Sequence, residues 1–472
     1  MSTEPTRRGA RRRAGLRRFA LTLVGVLAGL VALSGAGAAV SLAQGPRVSD
    51  VQVDPSAAIE VAGARAILTV NQALADIDPD QVSLTPAAPF TVDAAGRSVG
   101  VRFTVPLDDD TEYTVRVQGA HAVGGGPEAT LETTFRTPAA EVFLLQRDPK
   151  GDDTIFRSSL HGRDAVPVYS SPLIEDFRAT STRLVVATAQ DGVSALHVMN
   201  RDGSGETDLT LPGKGSVQGL QVSQRGDLVG YTFSDPNGAE FASVLFTARL
   251  KEPAADPVPV EVGGEPASVD RWRFVPDSSA LLLVDFDGEL ILTDPESAGD
   301  PTMLGGALTI DAIARGTYTA IVERVDQGIR QLDLTTGEET ALVEPDRDLG
   351  VLGTVAPVPA GGEGRAGTVR QFQKMRDAWH PDGQTLAHVA DDGTTRTLFE
   401  TGPEDALLQS CVSPSGRYVA ALVAPDIATN PYDIGGMAVP RTLETHIVDL
   451  DTGDPATVLS GFDISWCTVG PW

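Results

Sequence analysis

Two cysteines, a few scattered histidines and one cluster of cations are the residues through which this chain could do chemistry. Cys411 and Cys467 could pair as a disulfide, which would persist in an oxidising compartment; two buried free thiols are the alternative. Arg365, Arg370, Lys374 and Arg376, with Phe372 among them, form the clearest run of positive charge in an otherwise acidic region. Such cations can grip an anionic partner, or they can simply solvate a Gly/Pro-rich linker. With the neighbouring segment 429–441, which contributes Tyr432 and Met437, they make a candidate docking surface. Asp108, Asp109 and Asp110 are consecutive carboxylates that suit either a calcium site or a solvated turn ahead of Tyr113. Asp285 and Asp287 belong to a DFDG stretch that a hairpin turn explains without a cation. His380 stands in a turn and His197 in an apolar strand, positions better suited to structure than to catalysis. No HExxH, GxSxG, P-loop, CxxC or strand-linked GxGxxG occurs, so no catalytic, metal or cofactor residue is expected.

The charge balance narrows the partners. The chain has 472 residues and a formal net charge of −27, which argues against nucleic-acid binding through a broadly basic surface. Residues 1–18 carry seven arginines and one acid, a net +6, so the remainder carries −33. Between the two parts lies an uncharged run, 19–43, long enough at about 1.5 Å per residue to cross a bilayer core of roughly 30 Å. The arginines would remain cytoplasmic and the acidic remainder would face outward. A cleaved signal peptide is the alternative, because Ser41 and Ala43 supply small residues before a cut. The expected division is a basic cytoplasmic segment (1–18), a transmembrane helix or signal peptide (19–43) and folded domains beyond.

From Val48 to Arg136 apolar and polar residues alternate in short runs separated by turn residues. The runs are 48–53, 64–70, 81–85, 90–92, 98–105, 111–117 and 129–136, the number expected of an immunoglobulin-type sandwich over 46–138. The wording ILTVNQAL (67–74), VRFTVPLDDDTEYTVRV (101–117) and TTFRTP (133–138) resembles the bacterial Ig-like domain of SbsA type. That resemblance covers about a fifth of the chain and implies a spacer or adhesion module.

Over 139–472 a longer unit recurs: a short strand, a tight turn, then a strongly apolar strand. Copies are ATSTRLVVAT (179–188), VSQRGDLVGYT (222–232), FVPDSSALLLV (274–284), IARGTYTAIV (313–322), WHPDGQTLAHV (379–389) and VSPSGRYVAALV (412–423). HPDG, SPSG and the stretch 195–211 resemble the β-propeller repeat of TolB-like proteins, which implies four-stranded blades and protein partners in a cell envelope. A further unit is split between the ends: 142–146 and 154–159 lack an inner strand that 463–467 would supply, closing a ring of about seven blades. Aligning Trp466 with Trp379 and Val412 puts both cysteines on one strand face, so a bridge would need a bulge or a one-residue slip. The insertions 235–241, 346–377 and 425–441 all follow second or fourth strands and should therefore crowd one face of the ring.

The expectation is an all-β protein: an Ig-like β-sandwich plus a β-propeller, preceded by one N-terminal transmembrane helix. Its expected role is a non-catalytic, membrane-tethered extracytoplasmic binding or scaffolding protein of the bacterial cell envelope. It would bind an envelope protein or an anionic wall polymer, with no cofactor and no nucleic acid. The alternative is a propeller hydrolase acting on cell-wall glycans or peptides. The short cytoplasmic segment weakens a third reading, a sensor.

Overall fold

Strict alternation of apolar residues makes the first folded unit. In Arg65–Val70 the side chains of Ala66, Leu68 and Val70 are buried while their neighbours are not, because successive strand residues point to opposite faces. The computed structural model describes residues 19–32, 34, 45–160, 162, 164–223, 227–297, 299–359, 364–377, 380–433 and 438–471. Strands Val48–Val53, Arg65–Val70, Ser98–Phe103 and Phe90–Ala95 form one antiparallel sheet in that order. Val82–Thr85, Glu112–Ala120 and Ala129–Arg136 form the other. The two sheets enclose a core that includes Leu68, Val101, Phe103, Tyr113, Val115 and Leu131. A short helix that the alternation did not signal, Pro55–Glu60, is capped by the Asp54 carboxylate, which accepts from the backbone N–H groups of Ser56 and Ala57.

Several strands after Thr137, second in their sheets, are buried on both faces instead, as in Leu228–Ser234, where only the last residue is partly exposed. Such strands need sheets stacked on either side of them. Among the described residues after Thr137 there are six four-stranded antiparallel sheets and one of three strands, each running outward in chain order as propeller blades do, besides a two-stranded hairpin, Glu261–Val262 with Glu265–Pro266. The three-stranded sheet, blade one, comprises Glu141–Gln146, Asp153–Ser159 and Val166–Ser171. Blades two to seven begin with the inner strands Ile174–Ala179, Ser216–Val222, Val269–Phe274, Thr309–Ile313, Val351–Pro357 and Ala406–Val412. Each of these inner strands contacts the next one around the ring. Apolar clusters fill the wedges between blades: Val185 and Leu196 of blade two meet Tyr231 and Phe233 of blade three. At the seam Ile447 and Leu459 of blade seven meet Val142 and Leu144 of blade one. Gly230 marks a close approach, where a Cβ would lie 2.5 Å from the Trp272 ring of blade four.

One expectation lies partly outside the described residues, and another needs correction. The helix expected to span a membrane over 19–43 is described only at 19–32 and 34, and no described helix is long and apolar enough to cross a membrane. At 1.5 Å per residue the continuous stretch rises only about 21 Å; residues 33 and 35–43 lie outside the described residues, as does 1–18. The second concerns 346–377, expected as an inserted loop. It contains the inner strand Val351–Pro357 and the second strand Gly367–Asp377 of blade six. The WHPDG unit is accordingly out of phase, because Pro381 and Gly383 fall within the third strand, His380–Ala390, rather than at the first turn. The other five copies do sit between first and second strands.

Candidate functional site

The ring is closed by its own C-terminal segment. Leu145 and Phe462 exchange both backbone hydrogen bonds (2.9 and 3.0 Å), and the Ser465 N–H donates to the Phe143 carbonyl at 3.1 Å. The inner edge of blade one is thereby covered by residues from the far end of the sequence. Two latches hold this segment. Cys411, on the inner strand of blade seven, forms a disulfide with Cys467, their Cα atoms 5.4 Å apart. The register objection falls away because 463–467 is a turn held by one bridge at Phe462, so strict alternation does not apply to Cys467. On the other side Arg178, from the inner strand of blade two, donates to Asp463 at 2.8 Å and lies 2.9 Å from Asp176. Its Nε donates to the Leu220 carbonyl of blade three at 2.9 Å. Burial pushes the Asp176 carboxyl well up, Arg178 opposes this, and the Asp463 charge adds to it.

Next to this closure the channel widens into a cavity of about 280 Å³, whose lining includes Arg273, Asp311, Arg315, Ser410 and Thr468 together with both cysteines. Arg273 follows Trp272 on the inner strand of blade four, and the Arg178 position on blade two follows Phe177 in the same register. The Arg273 guanidinium reaches only the Asp311 carbonyl, at 3.4 Å, and its Nε has no partner. Burial draws its pKa down to about 10, Asp311 opposes the fall, and the charges of Arg271 and Arg178 add to it. Arg315, in the first turn of blade five, is 9% exposed, and its Nη1 also lacks a partner. Burial lowers its pKa against the pull of Asp277. Asp311 accepts the Val355 N–H at 3.0 Å, yet burial pushes its carboxyl up to about 6. The site is thus a partly desolvated pair of cations tempered by one carboxylate.

The two faces of the ring differ. In every blade, turns joining strands one to two and three to four open on one face, and the remaining connections open on the other. The sandwich meets the first face. Arg365, between the first two strands of blade six, grips both oxygens of Asp108 at 2.8 Å and also pairs with Asp451. Burial works against that guanidinium, but the hydrogen bonds it donates to Asp451 and Asp108 outweigh it and raise its pKa. Arg417 donates to the Asp109 carbonyl at 3.0 Å, the Ala140 N–H donates to the Asp109 carboxylate at 3.0 Å, and Arg201 pairs with Glu60 at 2.8 Å. Asp108 and Asp109 therefore form a joint between domains rather than a solvated turn, while exposed Asp110 pairs with Arg136 inside the sandwich.

The cationic cluster does not form a docking loop. Arg365 is consumed by the joint, and Arg370 is buried, donating to Thr368 and to the Val343 carbonyl. Phe372 is 3% exposed in a core with Leu349, Ala387 and Val389. Lys374 pairs with Glu400 at 2.6 Å, while Arg376 is exposed. Tyr432 is exposed on the 425–441 insertion, bridged to Pro440, and Met437 lies outside the described residues. What the sequence reading missed is the apolar character of Tyr432's face. Phe286, Val325 and Tyr432, on connections between second and third strands, are 64%, 68% and 53% exposed. Leu308 and Val351, where blades five and six begin, join them on that face. The channel arginines were also missed; the repeated aromatic-Arg pair in Phe177-Arg178 and Trp272-Arg273 was the available signal.

No family model matches the chain, and no curated protein does either. Solved structures do resemble it. An uncharacterised protein from Listeria monocytogenes aligns with 68% of this chain and 91% of its own, at 10% identity and a TM-score of 0.43. A protein described as a TolB from Agrobacterium tumefaciens aligns with 68% of this chain and 88% of its own, at 15% identity and a TM-score of 0.34. The β-propeller domain of Cps50 (Swd1) from Myceliophteria thermophila aligns with 62% of this chain and 86% of its own, at 13% identity and a TM-score of 0.38. These are likenesses to β-propellers, and no property of those proteins passes to this chain with them.

Proposed function

We propose that this chain is a non-catalytic, membrane-tethered extracytoplasmic binding protein of a bacterial cell envelope. In this reading an Ig-like sandwich holds a TolB-like propeller by one face and leaves the opposite face to a protein partner. The observation that carries it is the polarity of the ring. The ion pairs and hydrogen bonds from the sandwich fall on the turns bearing Arg201, Arg365 and Arg417, whereas Phe286, Val325 and Tyr432 stand exposed on the other side. Exposed aromatic and aliphatic side chains gathered on one face suit protein docking. The sandwich's strand order, first-second-fifth-fourth on one sheet and third-sixth-seventh on the other, is that of a seven-stranded immunoglobulin arrangement. That order supports the Ig-like reading. The disulfide at the ring closure supports an oxidising compartment. The arginine-rich leader ahead of an apolar run supports a tether with the leader inside.

A hydrolase acting on wall glycans would place two carboxylates across the scissile bond. The channel cavity instead sets Asp311 among arginines, a pairing that suits holding a ligand. The test is co-purification from gently solubilised envelopes with Phe286, Val325 and Tyr432 all changed to Asp. A partner recovered with the native chain, lost with this variant and kept when Thr336 on the opposite face is changed to Asp would support the reading. Equal recovery with all three proteins would overturn it.

A further inference from the structure

The channel cavity carries a second site, separate from the exposed face. Buried guanidinium groups are normally satisfied, because an unmet donor away from water costs free energy without return. Here two of them border one cavity and each leaves an N–H unmet: Nε of Arg273 and Nη1 of Arg315, the latter on a side chain that is 9% exposed. Within 4 Å neither forms an ion pair among the described residues, although Asp311 and Asp277 are near enough to influence them. Two guanidinium charges against the one carboxylate on the lining leave the cavity positive inside an acidic protein. Ser410 and Thr468 line the same space, and a hydroxyl can donate to an acceptor. Gln409, whose amide donates to the Val469 carbonyl at 2.9 Å, fixes the C-terminal segment as part of the wall.

We propose that this cavity binds a small oxyanion, a carboxylate- or phosphate-bearing molecule held by Arg273 and Arg315. Planar guanidinium groups match the paired oxygens of either headgroup. The volume of about 280 Å³ lies at the small end of ligand pockets, so the occupant is a compact metabolite or headgroup rather than a folded partner. Because both cysteines of the ring closure also line the cavity, an intact disulfide is needed to keep its wall in place.

The test is isothermal titration of the detergent-solubilised full-length chain with inorganic phosphate and, separately, citrate, at matched ionic strength against sodium chloride. Saturable binding of at least one of them, weakened tenfold or more by Arg315→Gln and by Arg273→Gln, is the expected result. Neutralising an unpaired buried charge should leave the fold intact, and a thermal melt of each variant without ligand checks this. The melt gives a second readout as well: the bound anion should raise the native midpoint and leave that of the double variant unmoved. If neither anion saturates a site, or if both variants bind as the native chain does, the proposal is wrong. Such a failure would leave the docking-face reading standing, since the co-purification result does not depend on Arg273 or Arg315.

Discussion

Opening the ring at its closure should cost this protein several kcal/mol. The disulfide joins residues 56 apart, and in the chain-entropy model a loop of that length is worth about 4 kcal/mol. The opposing latch is the Arg178–Asp463 pair, with side-chain exposures of 3% and 0%. Removing one member of a buried pair costs about 3–5 kcal/mol. Asp176 remains beside Arg178 after Asp463→Asn, which places that variant near the lower end, about 3 kcal/mol. The two latches hold the same segment, so their losses should not add. Once the closing segment has left the edge of blade one, the second latch has little left to hold. The double change, Cys411→Ala with Cys467→Ala combined with Asp463→Asn, is expected to cost about 4–5 kcal/mol rather than about 7. The assay is guanidinium unfolding of residues 45–472, followed by fluorescence and far-UV circular dichroism, with and without dithiothreitol. Reductant should shift the native protein to the midpoint of the cysteine variant and leave that variant unmoved. A shift below about 1 kcal/mol on losing the disulfide, or full additivity with Asp463→Asn, would refute the view that this segment closes the ring.

Phe372→Ala should cost about 3–5 kcal/mol, because the ring lies in the core of blade six; a residue on a solvated loop would cost almost nothing, and a denaturation midpoint separates the two. Asp311→Asn should stabilise the protein at neutral pH. The folded pKa of about 6 exceeds the ordinary 3.8, so the native state holds the proton more tightly and loses stability as pH rises through that window. The gain should reach up to about 3 kcal/mol at pH 7 and vanish near pH 4, as read from unfolding curves at the two pH values. Arg365→Ala leaves Asp108 without its bidentate partner and should loosen the joint between domains. Limited proteolysis should then cut the connection near 137–140 faster, while the melting of the propeller itself changes little.

The architecture was legible where local chemistry repeats. Five of the six turn units lie at the first turn of a blade because Gly, Ser and Asp there serve the chain's reversal regardless of what surrounds it. Blade six was obscured because its inner strand, VLGTVAP, contains Gly353 and ends in Pro357, residues that read as loop when considered alone. Only its neighbours in the ring make it a strand, since Val355 donates its N–H to Asp311 of blade five. The cationic cluster failed as a site for a similar reason. Arg365 is the partner of Asp108, which lies 257 positions away, so charge along the sequence gave no indication that it was already neutralised. The same distance hid the Asp108–Asp110 joint and the Arg178–Asp463 latch, whose members are 285 positions apart. The cysteines were legible as a pair, while the turn that lets Cys467 reach its partner was not.

On the proposed function, the face opposite the sandwich receives a partner outside the membrane. The most direct measurement places a photo-crosslinking residue at Phe286, Val325 or Tyr432 and, for comparison, at Thr336 on the sandwich side, then irradiates intact cells. The account predicts a discrete adduct with one envelope protein from the first three positions and none from Thr336, with the adduct digested by protease added outside the cytoplasmic membrane. Adducts from Thr336 alone, or adducts that external protease cannot reach, would contradict it.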